Sequence, residues 1–221
     1  MAKAGDEIVN PRTGQRMVFL ETGQETDGQS LRIDSYNPPT GDPEPEHVHP
    51  FQESGAEVIS GSLRFSVDGE ERSVKAGESI TIPANTPHHF WNDGEEEAHS
   101  VGWFRPALKI DRFFETYFAL ARDGKLNEKG SPYFWQTAVM VPYFGDDIRL
   151  PSPPWTVQKA FFGLLAPIGR MLGYRPEYPS GGEGEQPAPA TFGTRGVVVA
   201  SVFAVLLALF LLRRRQRVAA G

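Results

Sequence analysis

The short run His47-Val48-His49 constrains this 221-residue chain more than any other feature. On an extended strand, residues two apart face the same side, so both imidazoles can reach one ion. A second stretch, from Gly77 to Asn92, carries His88, which can bring a third imidazole from a later strand. A chain that gathers these rings has to set separate strands around one interior. That requirement points to a metal-binding β-barrel.

The surrounding sequence supports strands. Alternating apolar positions run through Met17, Phe19, Leu31 and Ile33, and most cleanly through Leu63, Phe65 and Val67. Asp68-Gly69 supplies a hairpin turn, after which Val74 and Ala76 resume the pattern. Residues 79–82, 87–92 and 98–104 complete a set of short strands punctuated by Gly, Pro and Asn, which favours a sandwich or barrel over a βαβ arrangement.

Charge divides the chain. The formal net charge of -6 arises from 19 acidic and 7 basic residues in positions 1–100 against 9 and 15 in the remainder. A nucleic-acid surface on the N-terminal half is therefore not expected, since it would meet phosphate with the wrong sign. All five histidines lie in that acidic half, and cysteine is absent, so a metal site here has imidazole and oxygen donors and no thiolate.

Two motifs give these residues a spacing. Gly41, His47, His49, Glu53 and Gly61 form the first; Gly77, Pro83, Asn85, His88 and Asn92 form the second. They resemble the paired motifs of the cupin superfamily, an RmlC-like jelly-roll barrel or double-stranded β-helix, over roughly residues 15–105. The resemblance implies a divalent transition metal (Fe, Mn, Ni, Cu or Zn) held by His47, His49, Glu53 and His88, and a homodimer. The extension that follows resembles that of a bacterial subgroup of small cupin proteins.

Two positions depart from the pattern. Asn85 stands where glycine is usual, a small change because Asn tolerates left-handed backbone. Glu53 sits one place early for the six-residue spacing to Gly61, and strand alternation would turn Ser54, Ala56, Val58 and Ser60 inward, leaving Glu53 and Glu57 outside. A bulge would be needed to re-aim Glu53. Gln52 is an amide alternative. Phe51, Phe65, Phe90 and Trp91 are candidates for pocket walls, and His99 for a lumenal acid or base.

After Pro106 the apolar period becomes helical, with helices expected over about 110–122, over about 133–140, and from after Pro153-Pro154 through Pro167 to Met171-Leu172-Gly173, so that residues 106–178 form a helical extension. Residues 179–195 read as a flexible linker, rich in Gly, Pro and Glu. The apolar run from Val197 to Leu212, within a span placed at 196–212, is followed by Arg213-Arg214-Arg215-Gln216-Arg217 in a basic tail of 213–221. As a helix the run is about 24 Å long, which reads as a single transmembrane anchor with its flanking arginines at the interface. The lipid bilayer is then a partner and the protein a single-pass membrane protein. The N-terminus lacks a signal-like apolar segment, favouring a cytoplasmic barrel, whereas the arginines after the anchor argue the reverse; the cytoplasmic placement is the one adopted.

The expected function is metal binding coupled to a small-molecule ligand. One form is an oxygenase acting on an enolisable, phenolic or carboxylate-bearing compound. The other is a non-catalytic binding or sensory module.

Overall fold

The computed structural model describes residues 1–41 and 43–178. Among these described residues, nine strands form two sheets. Strands β1 (Glu7–Val9), β2 (Arg16–Glu21), β3 (Leu31–Asn37), β4 (Glu53–Ser60), β7 (Ser79–Ile82) and β9 (Ala98–Arg105) make a six-stranded sheet in the order β1-β2-β3-β9-β4-β7. Strands β5 (Ser62–Val67), β6 (Glu70–Lys75) and β8 (His88–Trp91) make a three-stranded sheet in the order β6-β5-β8. Every pairing between these strands is antiparallel.

The alternation read in the sequence sets which faces meet. Ala56 and Val58 of β4, Ile80 and Ile82 of β7 and Ala98 of β9 pack against Leu63, Phe65 and Val74 of the smaller sheet in one buried cluster. Burial of such side chains is worth roughly 1.5–3 kcal/mol each, so this interior fixes the register of both sheets. Gly55 allows close packing on the opposite side of β4: a Cβ there would lie 2.3 Å from the Trp103 ring and 2.4 Å from the Ile80 carbonyl oxygen.

The expected barrel is corrected in one respect. Neither sheet closes on itself: β1 and β7 end the larger sheet and β6 and β8 the smaller. The interior is enclosed by two facing sheets and by helices, with apolar packing doing what continuous strand pairing would do in a barrel.

Three helices follow: α1 (Ile110–Arg122), α2 (Phe134–Phe144) and α3 (Trp155–Met171). Ile110 and Phe118 of α1 join Met17, Phe19, Leu31 and Ile33 in a second buried cluster, which fastens the extension to the larger sheet. Ala119 and Leu120 meet Met140 and Phe144 of α2 in a third.

The membrane reading is also corrected. The span expected at 196–212 lies outside the described residues, and among the described residues no helix is long and apolar enough to cross a membrane. A lipid bilayer as partner and a single-pass membrane location therefore have no structural basis among the described residues.

Candidate metal centre

The fold brings His47, His49 and His88 together. One ligand-capable atom from each lies within 4.8 Å of the others, and the ring centroids are 5.0, 4.5 and 5.3 Å apart for the pairs 47–49, 47–88 and 49–88. Local pairing explains the convergence. His47 and His88 exchange backbone hydrogen bonds of 3.0 and 2.9 Å across an antiparallel bridge, which sets their side chains on one face. His49 follows on the same face two residues later.

The ring nitrogens are sorted by the backbone. His47 Nδ1 lies 2.9 Å from the Pro45 carbonyl oxygen, His49 Nδ1 lies 2.7 Å from that of Asp147, and His88 Nδ1 lies 2.8 Å from that of Thr86. In each case the carbonyl can only accept, so Nδ1 carries the proton and the Nε2 lone pair is left for an ion. Burial, aided by the neighbouring imidazoles, holds the His47 ring well below its ordinary pKa and that of His49 down to about 4; burial likewise lowers His88. All three rings are thus neutral donors at neutral pH. The three donors, within 4.8 Å of one another, could hold a divalent ion after closing by up to about 1.4 Å, since tetrahedral ligands at about 2.0–2.1 Å lie about 3.4 Å apart. The donor set fits a first-row divalent metal.

Glu53 does not join this group. It is exposed at the start of β4, where it pairs with Arg105, and the register shift between β4 and β9 lies farther along, between Val58 and Ser60. The neighbouring Ser54, 4% exposed, faces inward instead. Gln52 is fully buried, and its Nε2 donates to the carbonyl oxygens of Pro106 and Ala107, both at 2.9 Å. Asn85 adopts a left-handed φ of 61° and donates its backbone N–H to the His49 carbonyl oxygen at 2.7 Å, so the residue in the glycine position supports a ligand strand directly.

The histidines open onto a cavity of about 300 Å³. Phe65 and Phe90 line it, whereas Phe51 is 59% exposed and Trp91 is not part of the lining. His99 is not lumenal either: its Nε2 lies 2.9 Å from Asp34 Oδ1 and its ring stacks on Tyr36, on the side of β9 away from the cavity.

The extension supplies much of the remaining wall, through Phe113, Phe114 and Tyr117 of α1 and Met140 and Phe144 of α2. Rings run in contact from the site outward: His49 against Phe104 at 5.1 Å, Phe104 against Phe114 at 5.5 Å, and Phe113 against Phe144 at 5.5 Å. Glu44 also lines the cavity with 35% of its side chain open, and burial pushes its carboxyl up to about 8.

Sequence reasoning missed Asp147. It is fully buried, its carbonyl oxygen orients His49, and its Oδ1 accepts the Lys109 backbone N–H at 2.6 Å. Arg149 then exchanges backbone hydrogen bonds of 2.9 and 3.0 Å with Val48, between the two ligands of the first motif. No spacing rule connects positions this distant in the chain.

Residues 36–103 match the family model described as Cupin domain. That stretch is similar to the cupin domain. The chain is 38% identical over 61 residues to polyketide synthase CurC of Streptomyces cyaneus, covering 28% of this chain and 40% of that protein. It is 29% identical over 113 residues to quercetin 2,3-dioxygenase of Bacillus subtilis (strain 168), covering 51% of this chain and 32% of that one. Among solved structures, KdgF from Halomonas sp. is 17% identical with a TM-score of 0.38, over 42% of this chain and 79% of that chain. The chain spans less than two thirds of the curated relatives it matches.

Proposed function

We propose that this cupin-fold protein is a metal-dependent oxygenase of a small oxygenated metabolite, with His47, His49 and His88 as the metal ligands. One observation carries the reading: each Nδ1 is occupied by a backbone carbonyl, which leaves three neutral Nε2 donors converging at the wall of an apolar cavity. When bound, a redox-active divalent ion with three protein ligands supplies open positions at which dioxygen and an organic oxygen can meet. The protein's own part is positioning. The sheets and the helical extension hold the organic ligand out of water, the backbone carbonyls fix the ring tautomers, and Glu44 offers a carboxyl inside the same cavity. Similarity to quercetin 2,3-dioxygenase agrees with an oxygenated aromatic substrate, although it covers about half of this chain.

The test is elemental analysis of tag-free full-length protein, followed by oxygen-electrode measurements with phenolic substrates. The expected result is one equivalent of iron, manganese or copper, lost in His47→Ala together with oxygen uptake. Metal-loaded protein that binds such compounds and consumes no oxygen supports a binding module instead. Protein that takes up no divalent ion at all overturns both readings.

A further inference from the structure

Helix α3 is apolar on two sides. Its inner side is committed to α2: Gln158, Ala166 and Gly169 are buried, and a Cβ added at Gly169 would lie 2.8 Å from Cγ1 of Val139. Its outer side carries Val157, Phe161, Leu164, Ile168 and Met171, with exposures of 37, 37, 72, 45 and 87%. With 3.6 residues per turn, the steps 4-3-4-3 between these positions keep all five in one stripe along the helix, the spacing by which two helices pack together.

A surface helix ordinarily turns charged and polar groups to water. The charged residues of α3 are Lys159 and Arg170, and both stand about a third of a turn or more from Leu164, off the stripe. Ala160 and Pro167, which flank the stripe, are exposed and short, so a second helix can come close. The whole surface lies outside residues 36–103, so it belongs to the extension and not to the cupin-like stretch.

Area and symmetry fit a second copy of this chain. The five side chains can hide on the order of 500 Å² per copy, so two copies bury roughly 1,000 Å², about what a specific interface requires. A two-fold interface also needs a patch that matches itself. This one does. With an axis at Leu164 the two helices run antiparallel, Leu164 meets its own copy, Phe161 meets the partner's Ile168, and the short Val157 meets the partner's long Met171. Because the stripe is uncharged, the axis brings no like charges together.

We propose that the outer face of α3 is a homodimer interface, formed by antiparallel packing of α3 on α3 about a two-fold axis at Leu164. Since α3 packs on α2, and α2 supplies Met140 and Phe144 to the cavity wall, pairing braces that wall from outside.

The chain has no cysteine, so introduced thiols report alone. In full-length protein at micromolar concentration, oxidised with diamide, Leu164→Cys is expected to form a disulfide-linked dimer, whereas Lys159→Cys, exposed but off the stripe, stays monomeric on a non-reducing gel. Val157→Cys and Met171→Cys are expected to cross-link when the two variants are mixed and allowed to exchange, and not when each is alone. Sedimentation equilibrium gives a second reading: wild type is a dimer, and Leu164→Glu, which places two carboxylates on the axis, raises the dissociation constant at least about a hundredfold. Far-UV circular dichroism of Leu164→Glu should match wild type, because the side chain is 72% exposed within one chain; if it does not, the cysteine variants carry the decision.

A monomeric wild type overturns the proposal, and means that another segment or another protein covers the stripe. So does a dimer that folded Leu164→Glu leaves intact, a Leu164→Cys variant that forms no disulfide, or Val157→Cys that cross-links to itself, which is a parallel pairing.

Discussion

Replacing His49 by glutamine isolates one pH effect built into the site. The His49 side chain is 3% exposed, and burial lowers its pKa from 6.5 to about 4. Above pH 6.5 the ring is neutral in both folded and unfolded chains, and its contribution to stability is fully present. As pH falls, the unfolded chain takes up the proton first, so that contribution is lost progressively and is gone below about pH 4. One pKa unit corresponds to 1.36 kcal/mol, so the loss across this window is about 3 kcal/mol. Other buried groups act in the opposite direction: burial raises Glu44 to about 8 and Asp147 to about 6, and both stabilise the fold as pH drops. The informative quantity is therefore the difference between wild type and His49→Gln, in which those shared terms cancel. Urea unfolding of chelator-treated protein at pH 7.5, 6, 5 and 4 measures it. Wild type should lose about 3 kcal/mol relative to the variant between the first and last of these. A difference that stays flat, or that grows in favour of wild type on acidification, would refute the neutral buried imidazole.

Glu53→Ala should leave Zn(II) affinity within about twofold, because the residue is exposed and outside the histidine cluster, and a surface substitution of this kind is near neutral; competition against a chromophoric chelator reads this directly. Asp147→Ala should lower stability by about 1–3 kcal/mol by leaving the part-buried Lys109 N–H without its carboxylate partner, and should weaken Zn(II) binding because the segment that orients His49 loosens. Urea midpoints and the same competition assay give both numbers, and an unchanged metal affinity would separate the extension from the site. Gly55→Ala should destabilise the fold by at least about 1–3 kcal/mol, since the new methyl meets backbone at Ile80 and the Trp103 ring; a melting temperature equal to wild type would contradict that packing.

The strands and the histidine cluster were legible because both rest on local periodicity. His47 and His49 share a face by strand alternation, and the turn at Asn85 was readable from the tolerance of asparagine for left-handed backbone. Helices α1 and α3 follow the apolar period closely, whereas α2 runs on through Pro142 to Phe144, past the residues where the pattern fades. What escaped the sequence depends on contacts between distant segments. The Asp147 carbonyl is a backbone group, so no residue type announces that it orients His49. The aromatic positions of α1 looked like ordinary packing, and only their approach to Phe104 shows that they wall a cavity. Strand count and turn signals favour a sandwich or a barrel, and the cupin resemblance implies the barrel, but neither says whether the outermost strands pair with one another or leave open edges. The apolar run at 196–212 lies outside the described residues, and no described helix is long and apolar enough to cross a membrane.

The central claim is that three imidazoles share one ion. Pulsed EPR on protein loaded with one equivalent of Cu(II) tests it most directly, by counting coordinated ring nitrogens through couplings from the remote nitrogen of each imidazole. Wild type should show three imidazoles, and His47→Ala, His49→Ala and His88→Ala should each show two. A spectrum with one imidazole or none in wild type, or a count that any of these substitutions leaves unchanged, would contradict the account.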